Sequence, residues 1–547
     1  MARTHRMVGE LVAVGLLAAI ALGLGINRAG MASGYVDPLL HAGAQDEAVY
    51  GHAAARMVRT GHWMTPVFLD RFMLNKPPLL MWLGAASMRV AGINPLALRL
   101  PVLAAGVLCC LLIYWWLRRS LSMAAGMLGV LLLLGTPLFH SMARKFMTDA
   151  LLTLFVVAAM FILASDPHWE RRWTAFIFGA LSGAAVMTKS AAGLLPLLIL
   201  VVYWAVGGPK QRPPAGKILL AFAVAVLVAA PWHVYEFVVH RDWFIAEYVR
   251  FQLLGSGVTA PSRYTGDTNF WFYLRTLLRT DPILLVLSVT GLPWVAMAWR
   301  KSDEARLLAA WFLTSALCLG VFGTRAAYYL LPLLPVLVLM SVGFSPLLRG
   351  RLAWVACAVL AVVYLAGSPL RSVDYAAKSV PSASALDSYS RLRRANELLI
   401  VSPDDEFYAS VVDLPKVRYV YLAPLDATKT SEFFYRLGMI LSSDEFCSLA
   451  SLLPVYEQRL QAWKLPESLH PEGTLVSGPD LAEVIRCSPD RDFMLPEDQR
   501  AIAADAGAAT HTATPDQSGR FFLLSKTSSR RPEGSIAPGT VVPDQPR

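Results

Sequence analysis

Apolar residues run nearly unbroken for about twenty positions, again and again, along the first two thirds of the chain. Each run is long enough to cross a hydrocarbon core as a helix, and none shows the polar and apolar alternation of a barrel strand. The pattern predicts about eleven membrane-spanning helices, at 8–27, 98–117, 121–138, 148–164, 173–188, 191–207, 217–232, 282–299, 305–322, 327–346 and 351–367. The boundary between the fifth and sixth spans is soft, because Thr188-Lys189-Ser190 interrupts one continuous stretch. After Gly367 short strand-like runs (397–401, 417–421 and 521–524) alternate with Pro, Asp and Ser turns. The sequence therefore reads as an all-α polytopic membrane protein, 1–367, with a small soluble C-terminal α/β domain at 368–525 and a disordered Ser-, Arg-, Pro- and Gly-rich tail at 526–547.

Composition agrees with a bilayer solvent, since 55% of the 547 residues are hydrophobic and 16% charged, against about 25% charged in soluble domains. The formal charge of +10 does not point to nucleic acid, because the basic residues are scattered in pairs with no basic helix or interleaved aromatics. The first run follows Arg3, His5 and Arg6 like the front of a signal peptide. It is longer than the roughly 7–15 apolar residues of a signal core, and it reads as a retained first span.

The basic pairs set the topology. Every second connection is basic: Arg3 and Arg6; Arg118-Arg119; Arg171-Arg172; Lys210, Arg212 and Lys217; Arg300-Lys301 and Arg306; Arg349 and Arg351. By the positive-inside rule these face the cytoplasm, and Arg144-Lys145 alone cuts against the alternation. Two long outer connections, 28–97 and 233–281, collect Asp46, Glu47, Lys76, Glu247, Arg250, Arg263 and Asp267 on the other face. Of six cysteines, Cys109, Cys110, Cys318 and Cys357 lie in spans as small apolar side chains. Cys447 and Cys487 share the outer domain, where a disulfide would close a loop of about forty residues and stabilise by about 3–4 kcal/mol.

Candidate chemistry gathers on the outer face. Asp46-Glu47 opens a stretch with helical spacing (Val49, Ala53, Met57), where two acids either complement a helix dipole or face a substrate. Lys76 precedes Pro77-Pro78, a stiff hinge that presents its ammonium either to a ligand or to headgroups. Asp149 falls in the first turn after Thr148, at a depth where an unpaired carboxylate is costly and an acid is a functional candidate. Lys189 marks the outer junction of the fifth and sixth spans, and Arg325 with Tyr328-Tyr329 opens the tenth. An acid able to activate a hydroxyl, facing cations able to hold a phosphate leaving group, is what sugar transfer from a lipid phosphate requires.

The order of these motifs resembles the membrane glycosyltransferases of the C-type fold (GT-C). Asp46-Glu47, Tyr50, Thr60-Gly61-His62-Trp63, Lys76-Pro77-Pro78-Leu79 with Trp82-Leu83, and Arg99-Leu100-Pro101 are similar to their first outer loop. Asp149, Thr188-Lys189, Pro231-Trp232-His233, the aromatic run 270–274 and Tyr328-Tyr329-Leu330-Leu331-Pro332 follow in family order, over roughly 1–345. The nearest likeness is to aminoarabinose transferases that modify lipid A and to bacterial protein O-mannosyltransferase-like proteins.

The resemblance implies transfer of a sugar from a polyprenyl-phosphate donor to a lipid, glycan or protein acceptor, at the outer face of a bacterial inner membrane and usually with inversion. Asp46 and Asp149 would be the catalytic acids, and Glu47, Lys76, Lys189, Arg250, Arg263, Arg325 and Tyr328 would bind substrate. A divalent metal is doubtful, because Asn75 and Gln252 stand where the aminoarabinose enzymes carry a glutamate and a histidine, and amide oxygens suit zinc poorly. A transporter, the competing class, would place charges near the midplane and show an internal repeat, and neither is present. A non-catalytic lipid-binding relative stays open through Asn75. A reporter fused after Gly367 is expected to be active only when exported; cytoplasmic activity there would overturn the outer placement of the C-terminal domain.

Overall fold

The computed structural model describes residues 2–26, 45–68, 71–208, 212–259, 271–321, 325–344, most of 351–363 and the strands and helices between 398 and 526 given below. The chain is a multi-pass membrane protein. Among the described residues, seven helices are long and apolar enough to cross a bilayer, or eight when one bent pair is a single span. Leu79–Ala91, Met123–Gly135 and Arg351–Ala361 are shorter apolar helices.

Helix α1 (Ala2–Gly23) is followed by α2 (Gln45–Thr60), a hairpin of the two-residue strands β1 (Val67–Phe68) and β2 (Arg71–Phe72), and α3 (Leu79–Ala91), so the first long connection carries secondary structure of its own. Then come α4 (Pro95–Ser120), α5 (Met123–Gly135), α6 (Pro137–Met142) and α7 (Thr148–Ser165). The single span expected at 121–138 is thus two helices. Pro137 forces Thr136 to extended geometry (ψ 114°), since a residue before proline is driven out of the helical region.

Next are α8 (Thr174–Lys189), a 3₁₀ turn over Ser190–Leu194, and α9 (Leu195–Val206). Ser190 has φ +48°, and there the chain turns back. Helix α10 (Ala215–Val239) runs beside α8 in the same direction: Gly179 lies against Ala221 and Val224, and Gly183 against Ala225 and Val228, too close for any Cβ. Small residues let two helix backbones approach this way in a bilayer, where dispersion replaces the hydrophobic drive. Parallel α8 and α10 require the chain to return between them, and it turns at the soft boundary of 188–190.

Beyond α11 (Arg241–Phe244) and a π-helical segment (Ile245–Thr259), α12 (Phe272–Thr280) meets α13 (Pro282–Ala298) at 115°. The break falls at Asp281-Pro282, again before proline. The bundle closes with α14 (Asp303–Val321), a 3₁₀ turn over Ala327–Leu333 containing Pro332, and α15 (Leu334–Phe344). Farther on, β3 (Leu398–Ile400), β4 (Tyr419–Ala423), β5 (Ile440–Leu441), β6 (Gly473–Ser477), β7 (Asp492–Pro496), β8 (His511–Pro515) and β9 (Phe521–Lys526) form one sheet, in the order β5-β6-β4-β3-β7-β9-β8. Its first five strands are parallel neighbours, and β9 and β8 are added antiparallel. Short helices α16 (Leu481–Arg486) and α17 (Arg500–Gly507) accompany it. Cys487 is disulfide-bonded, whereas Cys447 lies outside the described residues.

Polar pairs sort the helix ends into two faces. On one, Arg118 Nε meets Glu10 Oε2 at 2.9 Å, Arg119 donates to Ser165 Oγ at 3.0 Å, and Arg306 donates to Tyr203 Oη at 2.8 Å. These join the start of α1, the ends of α4, α7 and α9, and the start of α14, all flanked by the basic pairs of the sequence. Arg144, the exception to that pattern, belongs to the other end. It contacts His140 Nε2 at 3.0 Å and Leu24 O at 2.5 Å, so its charge serves packing between α6 and the end of α1.

On that second end a buried ion pair fixes the outer connection to the bundle. Glu47 in the first turn of α2 receives Arg99 Nε at 2.7 Å and Nη2 at 2.8 Å, and both side chains are 2% exposed. Phe146 N donates to the same carboxylate at 2.8 Å, and Arg99 Nη1 donates to Ile26 O at 2.7 Å. The glutamate expected to touch substrate is therefore committed to joining α2, α4 and the turn before α7. Removing one partner of such a pair leaves a buried charge. Arg99→Met is expected to cost about 3–5 kcal/mol, read as a lower unfolding temperature in detergent with faster proteolysis near α2; an unchanged melting temperature would show that the pair does not hold α2.

Candidate active site

The outer loop is held in shape by its own motifs. Gly61, at φ +73°, terminates α2 by donating its N–H to Met57 O at 3.0 Å, a left-handed cap that glycine adopts without steric cost. The chain after it is pinned by two indoles: Trp82 Nε1 donates to Trp63 O at 2.6 Å and Trp232 Nε1 to Met64 O at 2.9 Å. The tryptophans of the Lys-Pro-Pro and Pro-Trp motifs thus fasten the Thr-Gly-His-Trp segment from two sides. Val67, Phe72, Leu74, Met187, Trp232, Phe244 and Tyr248 bury one another in a small separate core joining the hairpin to α8, α10 and α11. Phe244 and Tyr248 stack at 4.8 Å, and Tyr248 Oη lies 2.7 Å from His233 Nε2. Both outer connections are locked to each other by this core.

Asp149 and Lys189 form a second buried ion pair. Lys189 Nζ reaches Asp149 Oδ1 at 2.5 Å, with Asp149 1% exposed. The ammonium also lies over the Tyr328 and Tyr329 rings, at 5.2 and 4.5 Å from their centroids. Asp149 is in the first turn of α7 and Lys189 in the last turn of α8, so each charge is favoured by its helix dipole as well as by the other. Lys189 is thereby balanced and shielded.

Lys76 is placed differently. It sits in the turn before α3, next to the buried Pro77 and Pro78, and donates to Gln252 Oε1 at 2.7 Å. Among the described residues it forms no ion pair. Burial, with the nearby Lys189 cation, pushes its ammonium down to about 8, while Asp46 and Asp149 pull the other way. Asp46 is half-buried in the first turn of α2, hydrogen-bonded to Tyr50 and within electrostatic reach of Lys76, Lys189 and Asp149. Burial raises its carboxyl above the usual range, and the two lysines oppose that shift.

Lys76, Asp149 and Lys189 border one cavity, and Asp46 is within electrostatic reach of all three without lining it. Its polar lining residues include Lys76, Asp149, Lys189, Gln252, Tyr273, Ser315 and Tyr329, and Leu152, Leu195, Leu198, Leu253, Leu319 and Leu333 also line it. The other expected residues fall elsewhere. Arg250 is exposed and does not line the cavity, because residues two apart on a helix do not share a face, and Gln252 takes the inward position. Arg263 lies outside the described residues. Arg325 is buried and acts electrostatically on Tyr273, one step behind the cavity wall, and Tyr328 covers Lys189 while its neighbour Tyr329 reaches the cavity. Gln252, Tyr273, Ser315 and Tyr329 are polar lining residues that the sequence did not assign; Tyr273 sits in the aromatic run 270–274, whose composition alone did not say which ring faces inward.

The positions associated with a metal do not suit one. Asn75 and Gln252 offer two neutral amide oxygens, and the Gln252 oxygen already accepts from an ammonium that would repel a second cation. Among the described residues no three His, Cys, Asp or Glu side chains group closely enough to hold a metal ion.

Comparison with known proteins gives the geometry its family context. Residues 75–235 match the family model described as dolichyl-phosphate-mannose-protein mannosyltransferase. The undecaprenyl phosphate-alpha-4-amino-4-deoxy-L-arabinose arabinosyl transferase of Pectobacterium carotovorum is 28% identical over 359 residues, covering 59% of this chain and 60% of that protein. A second transferase of that name, from Pseudomonas fluorescens, is 28% identical over 331 residues, covering 56% of each chain. The chain thus spans less than two thirds of the length of these curated relatives. The crystal structure of ArnT from Cupriavidus metallidurans bound to undecaprenyl phosphate superposes with a TM-score of 0.66 at 16% identity, covering 96% of this chain and 99% of that one. The apo structure of the same protein gives 0.64. This chain therefore has the fold of ArnT and resembles in sequence the GT-C membrane glycosyltransferases of the aminoarabinose and O-mannosyl transfer type.

Proposed function

We propose that this protein transfers a sugar from a polyprenyl-phosphate donor to an envelope acceptor (a lipid such as lipid A, a glycan or a protein hydroxyl) at the outer face of a bacterial inner membrane. The observation that carries the reading is that one cavity joins Lys76 and the Asp149–Lys189 pair to a largely leucine lining suited to a prenyl chain. A largely apolar cavity holding an ammonium whose direct partner is a neutral amide fits a lipid phosphate. The donors of the similar transferases are undecaprenyl-phosphate sugars by name, which supports the same class here.

In this reading the acceptor oxygen attacks the anomeric carbon as the bond to the polyprenyl phosphate breaks on the opposite side, inverting the centre. Asp46 takes the acceptor proton, and its raised carboxyl suits a base working near neutrality. Lys76 meets the charge developing on the departing phosphate. Asp149, already paired, holds Lys189 between itself and the two tyrosine rings, and so fixes the positive field on the donor side. About eleven spans, the outer loops 28–97 and 233–281, and a periplasmic α/β domain over 368–525 complete the proposed organisation.

Asp46→Asn keeps the shape and removes the base. Turnover is expected to fall by at least about two orders of magnitude, the low end of what general-base catalysis contributes, with undecaprenyl-phosphate binding retained. Wild-type transfer rates in that variant would refute the assignment.

The same site sets a pH profile. Asp46 must be ionised to accept a proton, so activity should be lost on acidification at a pH above the ordinary carboxylate value of about 3.9. Lys76 must be protonated to hold phosphate; since its ammonium titrates at about 8, donor KM should rise as the pH passes through that region. A donor KM flat from pH 7 to about 10 would remove Lys76 from phosphate binding.

A further inference from the structure

Lys76 and Gln252 come from the two different outer connections, yet they meet directly at 2.7 Å inside the cavity. A lysine ammonium carries three N–H donors and no acceptor. One is spent on Gln252, which leaves two for ligand oxygens. The amide that receives it is neutral, so it fixes where the ammonium sits without cancelling its charge. That is the opposite of Lys189, whose charge is met by Asp149 and two rings.

The surroundings make the pairing specific. Gln252 lies in the π-helical segment after α11, and Tyr248 of that segment with Phe244 of α11 shares the small core with Phe72 and Leu74 of the first connection, Leu74 being two residues before Lys76. The contact is thus an end point of the small core that joins the two connections. Asn75, beside Lys76, has a buried Oδ1 with no hydrogen-bond partner among the described residues, so the neighbouring amide does not accept from the ammonium. A divalent ion bound between residues 75 and 252 would have to displace the ammonium and accept two neutral amides in exchange.

We propose that Gln252 is a positioning residue for donor recognition: its hydrogen bond to Lys76 clamps the two outer connections together and aims the ammonium at the donor phosphate, so that this chain needs no metal clamp between residues 75 and 252. The inference rests on the transferase reading and adds to it how the phosphate site is assembled and what it does without.

The test uses the full-length protein in nanodiscs, with undecaprenyl phosphate as the binding probe and a double-mutant cycle at the two positions. Gln252→Met keeps side-chain length and removes the acceptor. It should weaken undecaprenyl-phosphate binding about tenfold, the low end for a hydrogen bond to a charged group, and the loss should fall on donor KM rather than kcat. Lys76→Met should weaken binding further, and adding Gln252→Met to it should cost less than about twofold more. Treatment of the wild type with EDTA should change neither binding nor unfolding temperature. Equal tenfold losses from Gln252→Met with and without Lys76 would overturn the positioning role, because the glutamine would then act independently of the lysine. A loss of binding on chelation that zinc restores would overturn the metal-free assembly. Wild-type protein that fails to bind undecaprenyl phosphate at all would instead overturn the donor reading on which the proposal stands. If Gln252→Met lowers the unfolding temperature as much as Lys76→Met leaves it intact, the glutamine is a packing residue and the proposal fails.

Discussion

The buried bidentate pair between Glu47 and Arg99 is the contact on which the outer half of this protein depends. An arginine inside a membrane bundle is costly unless its donors are used, and here they are spent on a carboxylate and on a helix-end carbonyl. The carboxylate in turn takes the Phe146 N–H. Three segments far apart in sequence therefore meet at one charge pair, and Asp46, one residue away, inherits its position from that anchor. A paired structural acid beside a half-buried raised one is an economical way to orient the second, because the helix start cannot rotate without breaking the first.

Charge is distributed unevenly around the cavity, and the unevenness is the chemically useful property. Of the two lysines that line it, Lys189 is neutralised by Asp149 and covered by Tyr328 and Tyr329. Lys76 has a neutral partner. Equal neutralisation of both would leave nothing to attract an anion, and leaving both unpaired would make the apolar surroundings prohibitively costly. The small aromatic core of Trp232, Phe244 and Tyr248 serves the same end mechanically, since it brings a second-connection residue within hydrogen-bond distance of a first-connection lysine.

Much of this was legible in the residues. Apolar run length gave the membrane class, and the spacing of basic pairs separated the two faces, since both follow from composition and the chain's periodicity. The order of short motifs pointed to Asp46, Lys76, Asp149 and Lys189, three of which line the cavity and the fourth of which is in electrostatic reach of the others. The break before Pro282 matches the expected start of the span at 282, whereas Pro137 was also visible but was passed over in the span 121–138, because hydropathy averages across a break that backbone sterics enforces at one residue.

The sequence by itself determined that the chain lives in a bilayer and which acids and cations are candidates, because those properties depend on residue type and local order. Only the tertiary structure decided what each candidate does. Glu47 and Asp46 are adjacent and chemically alike, yet one is consumed by Arg99, 52 positions away, and the other is left beside two lysines. Gln252 looked like a missing ligand and is instead the partner of Lys76, 176 positions distant. A side chain's charge is written in the sequence, whereas its neutralisation depends on which distant segment the fold brings within about 3 Å, and pairing at that range is set by packing of the whole bundle.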